Sequence, residues 1–434
     1  MNPISNSMRI AFCLLLLAGC LSAHAQVPDK VYAPGIHNVK LNYAGNQTAY
    51  PVMGLNGGDQ LELNFDDLQD GVRSYYYTWQ LCNADWTPAM LSEFDYIKGF
   101  SQNRINTYRT SSIAATKYTH YSVTLPESSC IPSKSGNYLL KVFADGDTSN
   151  LLFTRRVLVT DNKATIKAEI QQPFDGQLFK THQKIQFTVN LGNLNIFNAI
   201  QQVKIVLLQN WRWENAITNI HPTLIRQNKL EFNTESDAVF PGGREWRWLD
   251  LRSLRLLSER VKNTISTAPD GTLQVEVKPD VDRTTQRLVF YKDNNGRFYN
   301  DVGEAGIDYL TQADYAHVHF TFIPPDKQPL ADKQVYITGE LTNYGQDEKA
   351  KMTFNAEKGF YETDLLLKQG YYDYCYVTTD AANPRPSFES TEGNQWETEN
   401  DYTILVYYMA TGGRSDELIG IARVNSLTGR SGGN

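Results

Sequence analysis

Cysteine is scarce in this chain, five in 434 residues, and no Cys or His spacing suits a structural zinc. That excludes a small disulfide-stapled scaffold. Reaction motifs are also missing: there is no Gly-x-Ser-x-Gly elbow, no glycine-rich phosphate loop and no His-Glu-x-x-His. Positive charge has no surplus. The 41 Lys and Arg stand against 48 Asp and Glu for a net charge of −7, so nucleic acid is not an expected partner. No apolar run beyond the first 25 residues is long enough to cross a bilayer as a helix. Helical periodicity is nearly absent; only 88–93 and 249–260 qualify, the latter with Leu251, Leu254, Leu256 and Leu257 compatible with one face.

Aromatics are what the chain has instead: 12%, with 25 Tyr and 19 Phe, types that suit a half-buried pleated surface. Alternating segments recur throughout, among them 39–43, 61–65, 121–125, 137–144, 155–160, 185–190, 202–208, 273–277, 316–323, 359–367, 370–378 and 403–408. Turn pairs such as Asp70-Gly71, Ser135-Gly136 and Asp145-Gly146 separate them at short intervals. Many short strands so spaced predict an all-β chain of antiparallel β-sandwiches. At ~100–200 residues per domain, the length allows two to four. The expected divisions are a signal peptide at 1–25, a first sandwich at 26–161, a middle one at 162–310, a third at 311–425 and a disordered polar tail at 426–434. Residues 286–291, the turn 292–296 and 297–299 read as a hairpin by turn chemistry.

The N-terminus reads as an export signal. Arg9 precedes a short apolar core at 10–17, and Ala23-His24-Ala25 offers a cleavage site before Gln26. Leu17-Ala18-Gly19-Cys20 also fits a lipoprotein box, which would anchor the chain by a lipid on Cys20. Either reading takes the protein out of the cytoplasm. Cleavage after Ala25 leaves Cys82, Cys130 and Cys375. Cys82 and Cys130 share an expected domain and form the candidate disulfide; the alternative is three small buried hydrophobes.

Segment 79–100, WQLCNADWTPAMLSEFDYIKGF, opens as an aromatic strand, breaks at Asn83-Ala84-Asp85 and continues with aromatics between acids. It reads as a recognition surface, with Asp85, Trp86, Phe94, Tyr96 and Phe100 as contact candidates. Arg244 and Trp246, in VFPGGREWRWLDL, are residue types enriched at binding hot spots. The competing expectation is a strand with Trp246 and Trp248 packed inward, and the period-two stripe Tyr75, Tyr77, Trp79 reads as core. The acid-rich loop TEGNQWETEND supplies Glu392, Trp396 and Glu397 as a solvated or partner-facing loop. His317 and His319 share a strand face, but nothing nearby completes a metal set. Asp293-Asn294-Asn295-Gly296 lacks the ligand spacing of a calcium loop and reads as a turn. No catalytic, cofactor or metal residue is called.

Five segments taken together resemble a known family. NADWTPAMLSEFDYIKGF, TKYTHYSVTLP, VFPGGREWRWLDLRS, EGNQWETENDYTILVYY and GGRSDELIGIARVNS occur in this order, and the chain from about residue 30 to 426 is similar to the type IX secretion system plug proteins. The resemblance implies a non-enzymatic periplasmic protein of tandem immunoglobulin-like (early-set-like) β-sandwich domains, peripheral to the outer membrane, that binds and occludes the periplasmic opening of the translocon barrel. A lipobox is not part of that pattern, which favours cleavage after Ala25. The third expected sandwich, with VYITGELTNY followed by GFYETDLLLKQGYYDYCYV, also resembles the early-set immunoglobulin-like modules of glycan-active enzymes, so a glycan-binding or surface-associated β-sandwich protein is the alternative.

Overall fold

The computed structural model describes residues 28–430 apart from 70, 263–265, 268–270, 346–347 and 382–383. The expected signal peptide, with Cys20 and Ala25, lies outside the described residues. The architecture is all-β, in three sandwiches. Among the described residues no helix is long and apolar enough to cross a membrane.

In the first sandwich, Ile36–Tyr43, Leu61–Asp67, Thr119–Leu125 and Thr107–Thr110 form one sheet. Val52–Gly54, Leu151–Thr160, Gly136–Ala144, Tyr75–Cys82 and Gln102–Arg104 form the other. Side chains alternate across a strand, so Leu61, Leu63 and Phe65 face Tyr75, Tyr77, Trp79 and Leu81 in one dry core. The aromatic stripe of the sequence is thus core. Cys82 ends a strand of the second sheet, while Cys130 opens Cys130–Pro132, which pairs with Ile97–Gly99 in a separate ribbon. The expected disulfide between them is not formed. Both are free buried thiols, as is Cys375, and burial pushes Cys82 and Cys130 up to about 12.

The middle and third sandwiches depart from the expected linear order. Val203–Gln209 pairs with Asp401–Tyr408, which pairs with Glu417–Asn425. This three-stranded sheet covers the sheet built on Thr165–Gln171 and His182–Asn190. The third sandwich is therefore inserted within the middle one. It comprises Arg247–Asp250, Phe298–Asn300, Lys333–Thr338 and Gly370–Asp380 packed on a sheet centred on Tyr315–Ile323 and Phe360–Lys368. The chain leaves and re-enters the middle sandwich at one crossing. There the Gln395 N–H donates to the Gly243 carbonyl at 3.0 Å. A Cβ on Gly242 would lie 2.0 Å from the Gln395 carbonyl oxygen, so only glycine fits.

The three-stranded sheet is buried on both faces. Ile205, Leu207, Ile404 and Val406 face the middle core. Val206, Leu208, Leu405 and Tyr407 face Tyr50, Ala84 and Leu158 of the first sandwich. Hence the near-continuous apolar runs VKIVLL and TILVYY. First and third sandwiches meet at a buried polar knot. Asp66 accepts from Tyr315 Oη at 2.5 Å and Lys368 Nζ at 2.7 Å, with His120 Nδ1 2.6 Å away.

Four further expectations are corrected. Residues 88–92 are not helical, and a single helical turn, Glu93–Tyr96, starts after Ser92, whose capping box sets its N-terminus. Residues 249–260 are not helical, because the run opens inside the strand Arg247–Asp250, paired with Tyr371–Tyr374. The 286–299 hairpin does not form. Phe298–Asn300 pairs with Gly370–Tyr372 instead, and residues 286–291 form no strand. The expected tail is ordered as far as Arg430: Ser426 is fully buried and Ile170 N donates to the Gly429 carbonyl at 2.8 Å.

Candidate functional site

The segment after the Tyr75–Cys82 strand is built to hold apolar side chains in water. Thr87 donates its N–H at 3.0 Å and its hydroxyl at 2.6 Å to Asp85 Oδ1, closing the first turn. Ala84 N donates to Asp416 Oδ2 at 3.0 Å, tying that turn to the middle sandwich. Ser92 N donates to Asp95 Oδ2 at 3.0 Å and starts the helical turn. Tyr96 and Ile97 then bury themselves in the first core, Tyr96 edge-on to Tyr138 with ring centroids 6.1 Å apart. With these anchors fixed, Met90, Phe94 and Phe100 project outward at 83%, 88% and 69% exposure. Asp85, Glu93, Asp95 and Lys98 are exposed in the same segment.

The contact candidates from the sequence therefore divide. Asp85, Phe94, Phe100 and Glu397 are exposed, and Trp86 and Trp396 are half-buried. Tyr96, Arg244, Trp246 and Glu392 are buried and cannot touch a partner in this conformation. Trp86 packs edge-on against Trp213 at 5.0 Å, with the Arg156 guanidinium 4.8 Å from its ring. Trp246 sits between Tyr344 and Phe388, and Gly296 lies flat against its indole.

Glu392 looked solvated in an acidic loop. It is instead the centre of a buried ion network. Arg247 grips it with Nε at 2.9 Å and Nη2 at 3.0 Å, Arg283 Nε donates at 2.5 Å, and Tyr376 N at 3.0 Å. Burial alone would raise its carboxyl, but the two guanidiniums hold it below the ordinary carboxylate value. Arg247 also donates to Asp280 at 2.8 Å, where Tyr374 and Tyr376 hydroxyls converge at 2.8 Å each. Trp396 leads out of this network into the middle sandwich, where Gln183 donates to its carbonyl at 2.6 Å. The loop is a strut between sandwiches.

Among the described residues no group of His, Cys, Asp and Glu is arranged to hold a metal. His319 faces Asp364 at 3.0 Å and does not converge with His317 on a site. Met90 was missed in the sequence. Its signal was its place in Pro88-Ala89-Met90-Leu91, an apolar run too short to form a strand face.

Residues 36–161 match the family described as type 9 secretion system plug protein, first domain. The crystal structure of a hypothetical protein from Parabacteroides merdae ATCC 43184 is similar over 92% of this chain and 99% of its own, at 32% identity and a TM-score of 0.88. The structure of Yersinia pseudotuberculosis InvD aligns over 91% of this chain and 98% of its own at 10% identity and a TM-score of 0.17, too low to carry any argument. No curated protein matches the chain.

Proposed function

This chain belongs to the type 9 secretion system plug protein family, and from that premise we propose that it closes the periplasmic opening of the outer-membrane translocon barrel when no substrate is passing. It does so by bulk, as a periplasmic protein peripheral to the outer membrane and without catalysis. The observation that carries the reading is that the family's own first domain, residues 36–161, bears the exposed Met90, Phe94 and Phe100 on a rigidly anchored segment. Burying a large apolar side chain is worth roughly 1.5–3 kcal/mol relative to leaving it in water. Three together give a docking contact strong enough to seat the plug, yet small enough to release when substrate arrives. Asp85 and the half-buried Trp86 flank this contact, and Glu397 and Trp396 form a second, polar one. The interlocked sandwiches supply a stiff body that resists being pushed through a pore.

The test is to purify the empty translocon from native outer membranes and to delete the gene in parallel. The plug co-purifies, and the deletion strain admits large dyes across the outer membrane. A translocon that never carries this chain, in cells whose membrane stays tight after the deletion, sinks the reading.

Glycan binding has one feature in its favour. Trp248, Tyr371 and Tyr299 are half-buried on three adjacent strands with near-parallel rings, 6.1 Å and 5.6 Å between centroids. Against it, Tyr372, Tyr374, Tyr376 and Trp246 of the same sandwich are core. A glycan array that lights up with the wild type and goes dark with Trp248→Ala would favour this second reading.

A further inference from the structure

A chamber of about 260 Å³ lies where the three sandwiches meet. Val39, Leu41 and Arg155 come to it from the first, Trp211 and Trp213 from the middle, and Arg297 and Glu340 from the third. It shares Asp29, Arg155 and Glu340 as walls with an adjoining cleft of about 680 Å³, which gives it a way in. It plays no part in the proposed docking contact.

The chamber has more donors than the protein satisfies. Arg297 is 4% exposed. Its Nη2 reaches Glu340 at 3.3 Å and the Ala49 carbonyl at 3.4 Å, while its Nη1 has no partner. Arg156 pairs with Asp29 and stacks against Trp213 at 5.0 Å, and its Nε has no partner. The Trp213 indole N–H is buried and unpartnered as well. Buried donors are ordinarily matched, and here three unmatched ones belong to residues that line one chamber, where small side-chain shifts would offer them to an acceptor.

Charge points the same way. Each lining carboxylate is already engaged: Asp29 by Arg156, Glu214 by Arg212 at 2.6 Å, and Glu340 by Lys40 and Arg297. Arg155 has no carboxylate partner and donates only to the carbonyls of Thr154 at 2.8 Å and Val39 at 3.2 Å. Burial pushes it down to about 10. The lining residues and their ion-pair partners thus count four guanidiniums (Arg155, Arg156, Arg212, Arg297) against three carboxylates, with Lys40 pushed down to about 7 by burial. Apart from Asn343, the remaining walls are apolar or aromatic, among them Val39, Leu41, Pro51, Trp211 and Tyr344.

We infer that this chamber is a binding site for a compact organic carboxylate with an apolar or aromatic body. The guanidiniums take the carboxylate through paired N–H donors, and the Trp, Leu and Val walls take the body. The volume excludes a polymer. Because the site touches all three sandwiches, its ligand braces their mutual arrangement, and the protein melts higher when it is filled. This stands apart from the plug reading: binding is measured on the isolated protein, with no translocon present.

The experiment is calorimetric titration and thermal melting of the purified full chain with three probes: benzoate, the neutral isostere benzamide, and inorganic phosphate. Benzoate is expected to bind about tenfold or more tightly than either of the others and to raise the melting temperature. Arg297→Lys keeps a cation for Glu340 but removes the planar fork; it lowers benzoate affinity about tenfold and leaves benzamide unchanged. Trp213→Phe keeps a ring beside Arg156 and removes the indole donor, lowering benzoate affinity a few-fold, and it carries the comparison should Arg297→Lys fail to fold. Benzoate and benzamide binding equally, phosphate matching benzoate, or no response to benzoate at all overturns the inference.

Discussion

Glu392 shows how much a single buried charge can decide. Its oxygens are filled by Arg247, Arg283 and the Tyr376 N–H. Removing one member of such a group leaves the others as uncompensated buried charge. Glu392→Ala is therefore expected to destabilise the chain by about 3–5 kcal/mol, read by urea melting. A loss under about 1 kcal/mol would mean that water or Asp280 can take over the guanidiniums. Asp293 behaves in the opposite sense. Burial, with Glu399 and Glu245 nearby, pushes its carboxyl up to about 7, and Asp373 beside it is raised as well. A carboxyl with a raised folded-state pKa keeps its proton while the unfolded chain has lost it. Its contribution therefore falls as pH rises from about 4 to about 7 and is level above that. Asp293→Asn removes that slope. The variant should gain stability relative to wild type as pH climbs through this window, in melting curves taken at steps between pH 4 and 8. An unchanged difference between the two across the window would show that Asp293 is ionised throughout.

The 83–100 segment is the element on which the proposed docking rests, and its anchors and its exposed side chains can be separated. Tyr96 and Ile97 are core, whereas Met90, Phe94 and Phe100 make up its exposed apolar surface. Changing all three to Asp should leave the melting temperature within a degree or two, since exposed substitutions cost about 0.5 kcal/mol or less. Co-purification with the translocon should be lost. Retained co-purification by a folded triple variant would move the contact elsewhere, to the 396–397 loop or to Phe174 and Phe197, which are exposed on the middle sandwich. The sequence made some of this readable. The period-two stripe Tyr75, Tyr77, Trp79 is recognisable as core because alternation alone fixes which face is buried. Phe94 and Phe100 stood out among acids with no alternating partner. Alternation also offered Trp246 as an inward residue, one of two readings, and it is buried. Glu392 and Arg244 could not be read this way, because their burial comes from residues far along the chain: Arg247 lies 145 positions from Glu392. The adjacent Arg155-Arg156 in the apolar strand LLFTRRVLVT was the visible trace of the chamber. A strand facing one core and open water has no reason to place both successive faces at arginine.

At the scale of the whole molecule the strand types were legible and their partners were not. VKIVLL and TILVYY each read as strands, but nothing in either names the other as its neighbour some 200 residues away, and that pairing inserts one sandwich into another. The Gly242-Gly243 pair, unremarkable as a motif, marks the crossing. This topology has a consequence that a linear series of domains would not share. The two ends of the insertion already touch, with Gln395 N donating to the Gly243 carbonyl at 3.0 Å and Gly243 N donating to Asn394 Oδ1 at 3.0 Å. Replacing 244–394 with a short glycine linker should leave the middle sandwich closed and still packed on the first through Val206, Leu208, Leu405 and Tyr407. Cutting the chain after residue 310 removes Asp401–Tyr408 and Glu417–Asn425, strips the partner from Val203–Gln209 and opens both its faces to water. The internal deletion is thus expected to melt in a single cooperative step at a somewhat lower temperature. It gives up the Asp66–Lys368 and Lys40–Glu340 ties to the third sandwich. The truncated chain should retain only the first sandwich, with residues 162–310 cleaved quickly by protease. A protease-resistant 162–310 fragment in the truncated chain, alongside an unfolded internal deletion, would refute the insertion and restore a serial arrangement.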